Sequence, residues 1–514
     1  MTSSPAYLDL ERLGRDLDGP QAAQSRTVAV VAGLRWGQAP PGSRSPLGLA
    51  ARFTLRAAGG AGPGREGARA VHVAAAAELT ERALQWHRAA ALDQEPLGLA
   101  VLAGDYCLAQ AAQALARFAG PEVEAQFADG LAAAGAELAR DGDADRAARQ
   151  ILPACGLAGA SAARLPAARQ ARWWRLGRRL AGAGVDGSTD GGGWSLPPPR
   201  PGLDPVERRL HQVLALDPWR VAEPMARMQG AGGKRIRAQL VLLAAEVGPE
   251  FAPDAAVAAA AAMELLHAAT LCHDDLVDGA ASRRGAPTVA AVSGPLAALG
   301  VGDHYLGRAA GLIARLGDPG ISRSVAEALV EIANGQLREL DRRSVWSGEL
   351  APYVRVAQGK TGALLAACAA TGARLGRVPG PQRRALVRFA RKLGLAFQGV
   401  DDCLDFSDPA RTGKPVGTDL LQGVCSLPVL CALRGPRRQE ARRLLEELNQ
   451  ASWPETLGLR DRVVQLVRES GALASARSLA DRWNLEAVQS LEALPRRERP
   501  RLARFADRLT LRDS

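Results

Sequence analysis

ELLHAATLCHDDLVD, residues 264–278, closes a long Ala-rich run and carries Asp274, Asp275 and Asp278 straight after an apolar stretch. Ala and Leu favour helix, and β-branched or aromatic residues are too few here to argue for a strand. On a helix, residues four apart share a face and the next one lies beside it, so these carboxylates project from about one turn. FQGVDDCLD, residues 397–405, repeats the arrangement with Asp401, Asp402 and Asp405 behind an apolar segment. Like charges gathered so closely repel one another unless a cation sits among them. Oxygen donors with no His or Cys in the cluster suit Mg2+, a hard ion that readily shares its coordination with substrate phosphates. A single acidic cluster is common on a solvated helix face. Two of them, each ending an apolar helix, point to metal-assisted chemistry on phosphate esters.

The basic residues are as telling. Lys and Arg together number 65, yet only four are Lys: Lys234, Lys360, Lys392 and Lys414. In a chain so biased towards Arg, a retained Lys marks a place where a compact ammonium is needed. Three of the four sit in short motifs. GGKRIR (232–237) opens a helix with Lys234 and Arg235, and SRRGAPT (282–288) brings Arg283 and Arg284 just beyond the first acidic cluster. GKT (359–361) interrupts an Ala-rich helix with Lys360 and Thr361, and GKPVGTDL (413–420) follows the second cluster with Lys414. Together they describe a site for two diphosphates, one bridged by metal and one held by Lys and Arg alone.

The whole chain, 514 residues of which 47% are apolar, is long enough for two domains with cores of their own. Aromatic residues are only 4% and Ala fills long stretches, so the expected class is all-α. The segment VDGSTDGGGWSLPPPRPG (185–202) cannot hold a helix; the expected domains are 1–186 and 203–514, joined by a linker at 187–202. The Ala-rich run 251–272 carries Asp254, Glu264 and His267, which reads as a buried helix and not a membrane span. The N-terminal stretch has no apolar core of a signal peptide, and the seven Cys form no CxxC pair, as for reduced thiols in a cytoplasm. A net charge of +11 raises nucleic-acid binding, but beyond Trp173 and Trp174 among the arginines of 172–179 no stacking platform recurs. A solvated basic face is the simpler reading, with peripheral contact to anionic headgroups as a secondary benefit.

The two halves echo each other. ELTERALQWH (78–87) aligns with ELLHAATLCH (264–273), GDYCLAQAA at Gly104 with GDHYLGRAA at Gly302, and GAELARD at Gly135 with GQLRELD at Gly335. GRRLAGAGVDG, ending at Gly187, is similar to ARKLGLAFQGVDD, ending at Asp402. Four matches in one order favour a duplication. The differences are chemical: where the second half has Asp274–Asp275, the first has Arg88–Ala89, and it contains no Lys. Metal and diphosphate sites are therefore not expected there.

The ordered set GGKRIR, ELLHAATLCHDDLVD, SRRGAPT, GDHYL, GKT, FQGVDDCLD and GKPVGTDL resembles the trans-type polyprenyl diphosphate synthases over residues 203–514. That resemblance implies an isoprenoid synthase-type helical bundle around a central cavity, with the acidic helices facing each other across its mouth. It implies three Mg2+ ions gripping an allylic diphosphate through Asp274, Asp278 and Asp401, supported by Asp275, Asp402 and Asp405. Arg283, Lys360 and Lys414 would contact the same diphosphate, while Lys234, Arg235, His267 and Arg284 would hold isopentenyl diphosphate. Gln398 and Thr361 would line the reacting end, and the departing diphosphate would take the proton. Leu266, Ala269 and Thr270, one turn before the first cluster, would set product length. With no aromatic floor at these positions, a product longer than twenty carbons is expected, a fifteen- or twenty-carbon synthase being the alternative. The family pattern is broken where Ala238 replaces Pro, Val424 replaces Lys and Ser426 replaces Thr. The first half resembles the non-catalytic partner subunits of heteromeric prenyl synthases, so a homodimer or an intrachain pseudo-dimer is expected. A terpene cyclase would lack the second DDxxD and the GGKR motif; a purely non-catalytic partner would not keep both acidic clusters.

Overall fold

A computed structural model of the chain describes residues 65–91, 97–141, 144–162, 164–181, 204–230, 233–407, 416–452 and 454–510, with Ala51, Thr54, Leu55 and Ala58. The linker expected at 187–202 and Lys414 lie outside the described residues. Among the described residues every regular element is helical apart from one hairpin, Ser282–Arg283 paired antiparallel with Ala286–Pro287. The all-α expectation is met. The chain forms two compact units that do not follow the division at the linker: Met1–Lys234 goes with Ala261–Ala326, and Arg235–Ala260 with Glu327–Ser514.

The first unit is built on helices Arg65–Ala91 (α1), Leu97–Phe118 (α2) and Pro121–Asp141 (α3), the C-terminal part of Pro253–Val277 (α4), and Pro295–Ala314 (α5). Helix α1 packs along α2, and α3 packs along α5. The α3–α5 crossing is a seam of small residues. A Cβ added at Gly300 would lie 2.5 Å from the Ala139 amide nitrogen, and one at Gly307 2.5 Å from that of Ala132. His304 in the same seam donates from Nδ1 to the Ala132 carbonyl at 2.7 Å. Backbones this close gain dispersion along their whole length, but only where Gly and Ala keep the crossing clear.

In the second unit, helix Gly380–Leu404 (α6) runs against Ala472–Gln489 (α7), and Ile236–Glu246 packs on Ala363–Leu375. Its core gathers Leu395, Phe406, Leu427, Leu445, Val467 and Trp483, all buried. Helices α2 and α4 are long and apolar enough to cross a bilayer, yet 67% of each apolar window is buried within the fold, as for core helices of a globular protein. The expectation of a buried helix at 251–272 holds in this sense.

Candidate active site

In the first unit, α4 ends on the first acidic cluster. Asp274 and Asp278 are half-buried one turn apart, the Asp278 amide donating to the Asp274 carbonyl at 2.9 Å. Asp275 is buried and engaged: its Oδ1 accepts from Arg283 Nε at 2.7 Å, with Arg283 Nη2 also 2.7 Å away. Burial raises the Asp275 carboxyl and the Arg283 guanidinium lowers it again, with a net upward direction. That pair anchors the hairpin, whose tip residues Arg284 and Gly285 have φ of 52° and 77°. Two positive φ values in a two-residue hairpin loop are the mark of a type I′ turn, which twists with its strands. Arg284 therefore sits in a left-handed conformation that a non-glycine residue adopts at a cost of about 1–3 kcal/mol.

The hairpin tip meets the GGKR motif. Gly233 has φ of 133°, and a Cβ there would lie 2.6 Å from Arg284 Nη1. Only glycine fits, so the backbone beside exposed Lys234 lies against the Arg284 guanidinium. Arg235 opens helix Ile236–Glu246 with φ of 47°, again left-handed. Two of the expected diphosphate-binding arginines are thus among five described non-glycine residues at positive φ. On α4, Leu266 and Ala269 are buried, while His267 and Thr270 are half-buried and Thr270 Oγ1 donates to the His267 carbonyl at 2.9 Å.

In the second unit, the GKT motif forms a single π-helical turn, Gln358–Gly362, joining helices Leu350–Ala357 and Ala363–Leu375. Such bulges aim one side chain out of the regular ladder and are frequent at functional sites. The Lys360 ammonium pairs with Glu339. Thr361 Oγ1 donates to Gln398 Oε1 at 2.8 Å, and Gln398 Nε2 donates to Asp402 Oδ1 at 2.9 Å. Asp402 Oδ2 accepts from Tyr353 Oη at 2.8 Å and from the Leu427 amide at 2.9 Å. Burial pushes the Asp402 carboxyl up to about 6 although these donors oppose it. Asp405 caps the next helix, accepting from the Thr418 hydroxyl at 2.6 Å and the Asp419 amide at 3.2 Å. Asp401, by contrast, is exposed.

The six aspartates therefore divide by surroundings. Asp275, Asp402 and Asp405 accept from the donors named above; Asp274 and Asp278 are half-buried and Asp401 is exposed. Glu339, Tyr353 and Asp419 were not singled out from the sequence, although Glu339 and Asp419 lie inside quoted motifs. Burial, then the charges of Asp405, Asp402, Glu339 and Asp401, pushes the Asp419 carboxyl well above the usual range. Negative charge gathered to that degree, on oxygen donors alone, fits a hard divalent cation such as Mg2+.

A different group in the first unit also has metal-like spacing: His87, His273 and Asp303, buried and within 4.8 Å of one another. Its hydrogen bonding argues against a metal. His87 Nδ1 is 2.9 Å from Asp303 Oδ2 and its Nε2 is 3.3 Å from the Val101 carbonyl. His273 Nδ1 is 2.6 Å from Asp105 Oδ1 and its Nε2 is 3.3 Å from the Leu299 carbonyl. With acceptors at both nitrogens, each ring satisfies them only as imidazolium, which has no lone pair for a metal. The carboxylates raise both rings against the opposing effect of burial, His87 to about 10.

Comparison with known proteins places these features. The Polyprenyl synthetase family model matches residues 219–458. A heptaprenyl diphosphate synthase component 2 from Geobacillus stearothermophilus is 34% identical over 58% of this chain and 91% of its own length. A nonaprenyl diphosphate synthase from Mycobacterium tuberculosis is 35% identical over 58% of this chain and 88% of its own. Among solved structures, a decaprenyl diphosphate synthase from Rhodobacter capsulatus superposes with a TM-score of 0.56 at 30% identity, over 60% of this chain and 95% of the other. The helical fold, the ordered motifs and this depth of identity agree: the chain belongs to the polyprenyl synthetase family and is a prenyl-transferring enzyme.

Proposed function

We propose that the chain condenses isopentenyl diphosphate with an allylic diphosphate in a Mg2+-dependent reaction that yields an all-trans polyprenyl diphosphate longer than twenty carbons. The observation that carries this reading is the carboxylates gathered in each unit on oxygen donors alone: Asp275 beside Asp274 and Asp278 and bound to Arg283, and Asp401, Asp402 and Asp405 crowding Asp419. When bound, the metal acts as a Lewis acid that draws charge off the leaving diphosphate. Asp274, Asp278 and Asp401 are the carboxylates proposed to hold it. Asp275 orients the Arg283–Arg284 hairpin, and the Thr361–Gln398–Asp402–Tyr353 chain of hydrogen bonds fixes the reacting end. Lys234 and Arg284 bind the diphosphate of the isopentenyl substrate, while Lys360, with Lys414, meets the allylic one. Fixed cations stabilise the developing charge without reorganising, and apolar walls keep water from the allylic cation. The small Ala269 leaves the tail room to grow.

The test is incorporation of labelled isopentenyl diphosphate by the purified chain, with primers of five to twenty carbons, with and without Mg2+. Products longer than twenty carbons that vanish on chelation are expected; a twenty-carbon end point overturns the length, and Mg2+-independent turnover overturns the metal role.

A second reading is that the chain works as one component of a two-component synthase, as the name of the Geobacillus relative suggests for that protein. The chain would then turn over only with a separate partner subunit, of the kind the degenerate first half resembles. Supporting this, α1–α2 repeat the His–Gly–Asp packing of α4–α5 around His87 and His273. Activity of the chain alone separates the two readings.

A further inference from the structure

The histidine–aspartate pairs are exchanged between the two halves of the duplicated pattern. His87 of α1 bonds Asp303 of α5, and His273 of α4 bonds Asp105 of α2. Each ring lies edge-on to the other, centroids 5.1 Å apart. Each also packs onto the glycine before an aspartate: a Cβ at Gly104 would overlap the His87 ring, and one at Gly302 the His273 ring. The geometry is the same twice over; its consequences are not. His87 precedes Arg88–Ala89, whereas His273 precedes Asp274–Asp275.

We propose that Asp105, from the half without acidic clusters, is a positioning residue for the first acidic cluster, acting through His273. The inference rests on the reading of Asp274 and Asp278 as metal ligands. Successive residues on a helix are rotated by about 100°, so a ring pinned at 273 sets the direction in which 274 and 278 project. His273 is 1% exposed, its socket closed by Gly302 and the Leu299 carbonyl, so the ring has one orientation. Asp105 Oδ1 at 2.6 Å is its shortest polar contact and comes from a residue far away in the chain. The half that lost the chemistry thereby still contributes one side chain to it. Partners that orient a metal ligand from behind are commonly worth 10–100-fold in metal affinity or activity.

The reciprocal pair is the built-in control. Asp105→Ala is expected to lower kcat about 10–100-fold and raise the Mg2+ concentration for half activity by a similar factor, with KM for isopentenyl diphosphate unchanged. Asp105→Asn keeps an acceptor in the same place and should restore most of the loss. Asp303→Ala removes the more deeply buried pair, its Oδ1 lying 3.9 Å from His273 Nε2 against the 2.6 Å of Asp105, and should destabilise the fold while leaving Mg2+ dependence within about threefold of the unmodified chain. Should Asp105→Ala not fold, Asp105→Glu, which keeps the charge one methylene further out, is expected to fall between Asn and Ala. Equal effects of Asp105→Ala and Asp303→Ala on Mg2+ dependence, or no effect of any Asp105 variant, overturn the proposal. Calorimetry of the unmodified chain with Mg2+ and inorganic pyrophosphate tests the ligand assignment separately. Amide exchange across residues 270–280, faster in the Asp105 variants than in Asp303→Ala, reads the positioning whether or not metal binds, and equal exchange counts against it.

Discussion

Helices α1 and α4 carry a buried histidine in matching sockets and diverge at the next two residues. Both rings touch a glycine and a carbonyl of their own half, Gly104 and Val101 for His87 and Gly302 and Leu299 for His273, and bond an aspartate of the other half. Beyond the ring, α4 continues into Asp274–Asp275 and α1 into Arg88–Ala89. Packing and chemistry are thus separable. The socket is held by burial and charge pairing, which do not depend on a substrate, so it forms whether or not acids that would need a cation follow it. Carboxylates gathered without a purpose repel one another, whereas the buried pair costs several kcal/mol if only one partner is removed.

The largest effect should come from replacing the acids themselves. Asp274→Ala combined with Asp278→Ala is expected to cut kcat by about 1,000-fold, the scale of losing a principal charge-stabilising contact. The mirror experiment, Arg88→Asp with Ala89→Asp, should leave steady-state activity at the level of the unmodified chain. The α1 half lacks Lys, and its sequence from Arg88 to Asp105 has no pair to match Arg283–Arg284, so two aspartates alone recover nothing. A gain of activity there would show that the first half had lost only its acids.

The glycines give the next step down. Gly104→Ala and Gly302→Ala each force a methyl into an imidazole ring, and overpacking of this kind costs about 1–3 kcal/mol. Denaturant unfolding should show similar losses for the two. Activity should separate them, because only Gly302→Ala disturbs the ring next to Asp274. Equal activity in both variants would mean that the setting of His273 does not reach the acidic cluster.

The pairs also predict how stability depends on pH. His87 is raised from its ordinary 6.5 to about 10, so its contribution is complete below pH 6.5 and is lost as pH rises towards 10. Burial raises the Asp105 carboxyl, but His273 and then His87 outweigh it and hold the group below its ordinary value, so its share is present above pH 4 and disappears in acid. Stability from this group should therefore be greatest between about pH 4 and 6.5, falling by a few kcal/mol towards pH 10. His87→Gln should flatten the alkaline limb; an unchanged slope would mean that the ring is not charged in the folded chain.

Much of the fold and of the acidic motifs is legible in the sequence. Ala-rich helices, the Gly- and Pro-rich 185–202, and the two DDxxD runs carry their meaning locally, in composition and in spacing along one helix. Asp402 illustrates where that reading ends. Its place in DDCLD marks it as one of three equivalent acids, and only the fold brings Tyr353, Gln398 and the Leu427 amide onto it. The exchanged pairs are further out of reach, since His87 and Asp303 stand 216 residues apart. The aligned GDYCLAQAA and GDHYLGRAA motifs marked the aspartates, but nothing in either motif says that each aspartate serves the other half's histidine.

The smallest effect concerns the one cation the second half has given up. The first half has no Lys, and the second has Val424 where the family resemblance leads one to expect an ammonium. The Val424 amide donates to the Asp419 carbonyl at 2.8 Å, so a side chain here starts within a residue's reach of the acidic group formed by Asp401, Asp402, Asp405 and Asp419. In Val424→Lys the ammonium would have two calls on it, the substrate diphosphate and these carboxylates. A hydrogen bond to a charged group is worth about 1.5–3 kcal/mol when well placed, and competition from the acids should leave only part of that for substrate. The expected outcome is a KM for the allylic diphosphate about 3–10-fold lower, with kcat little changed. A lower kcat at unchanged KM would show instead that the new ammonium neutralises carboxylates needed for metal, and that its loss from this half suits the charge already gathered around Asp419.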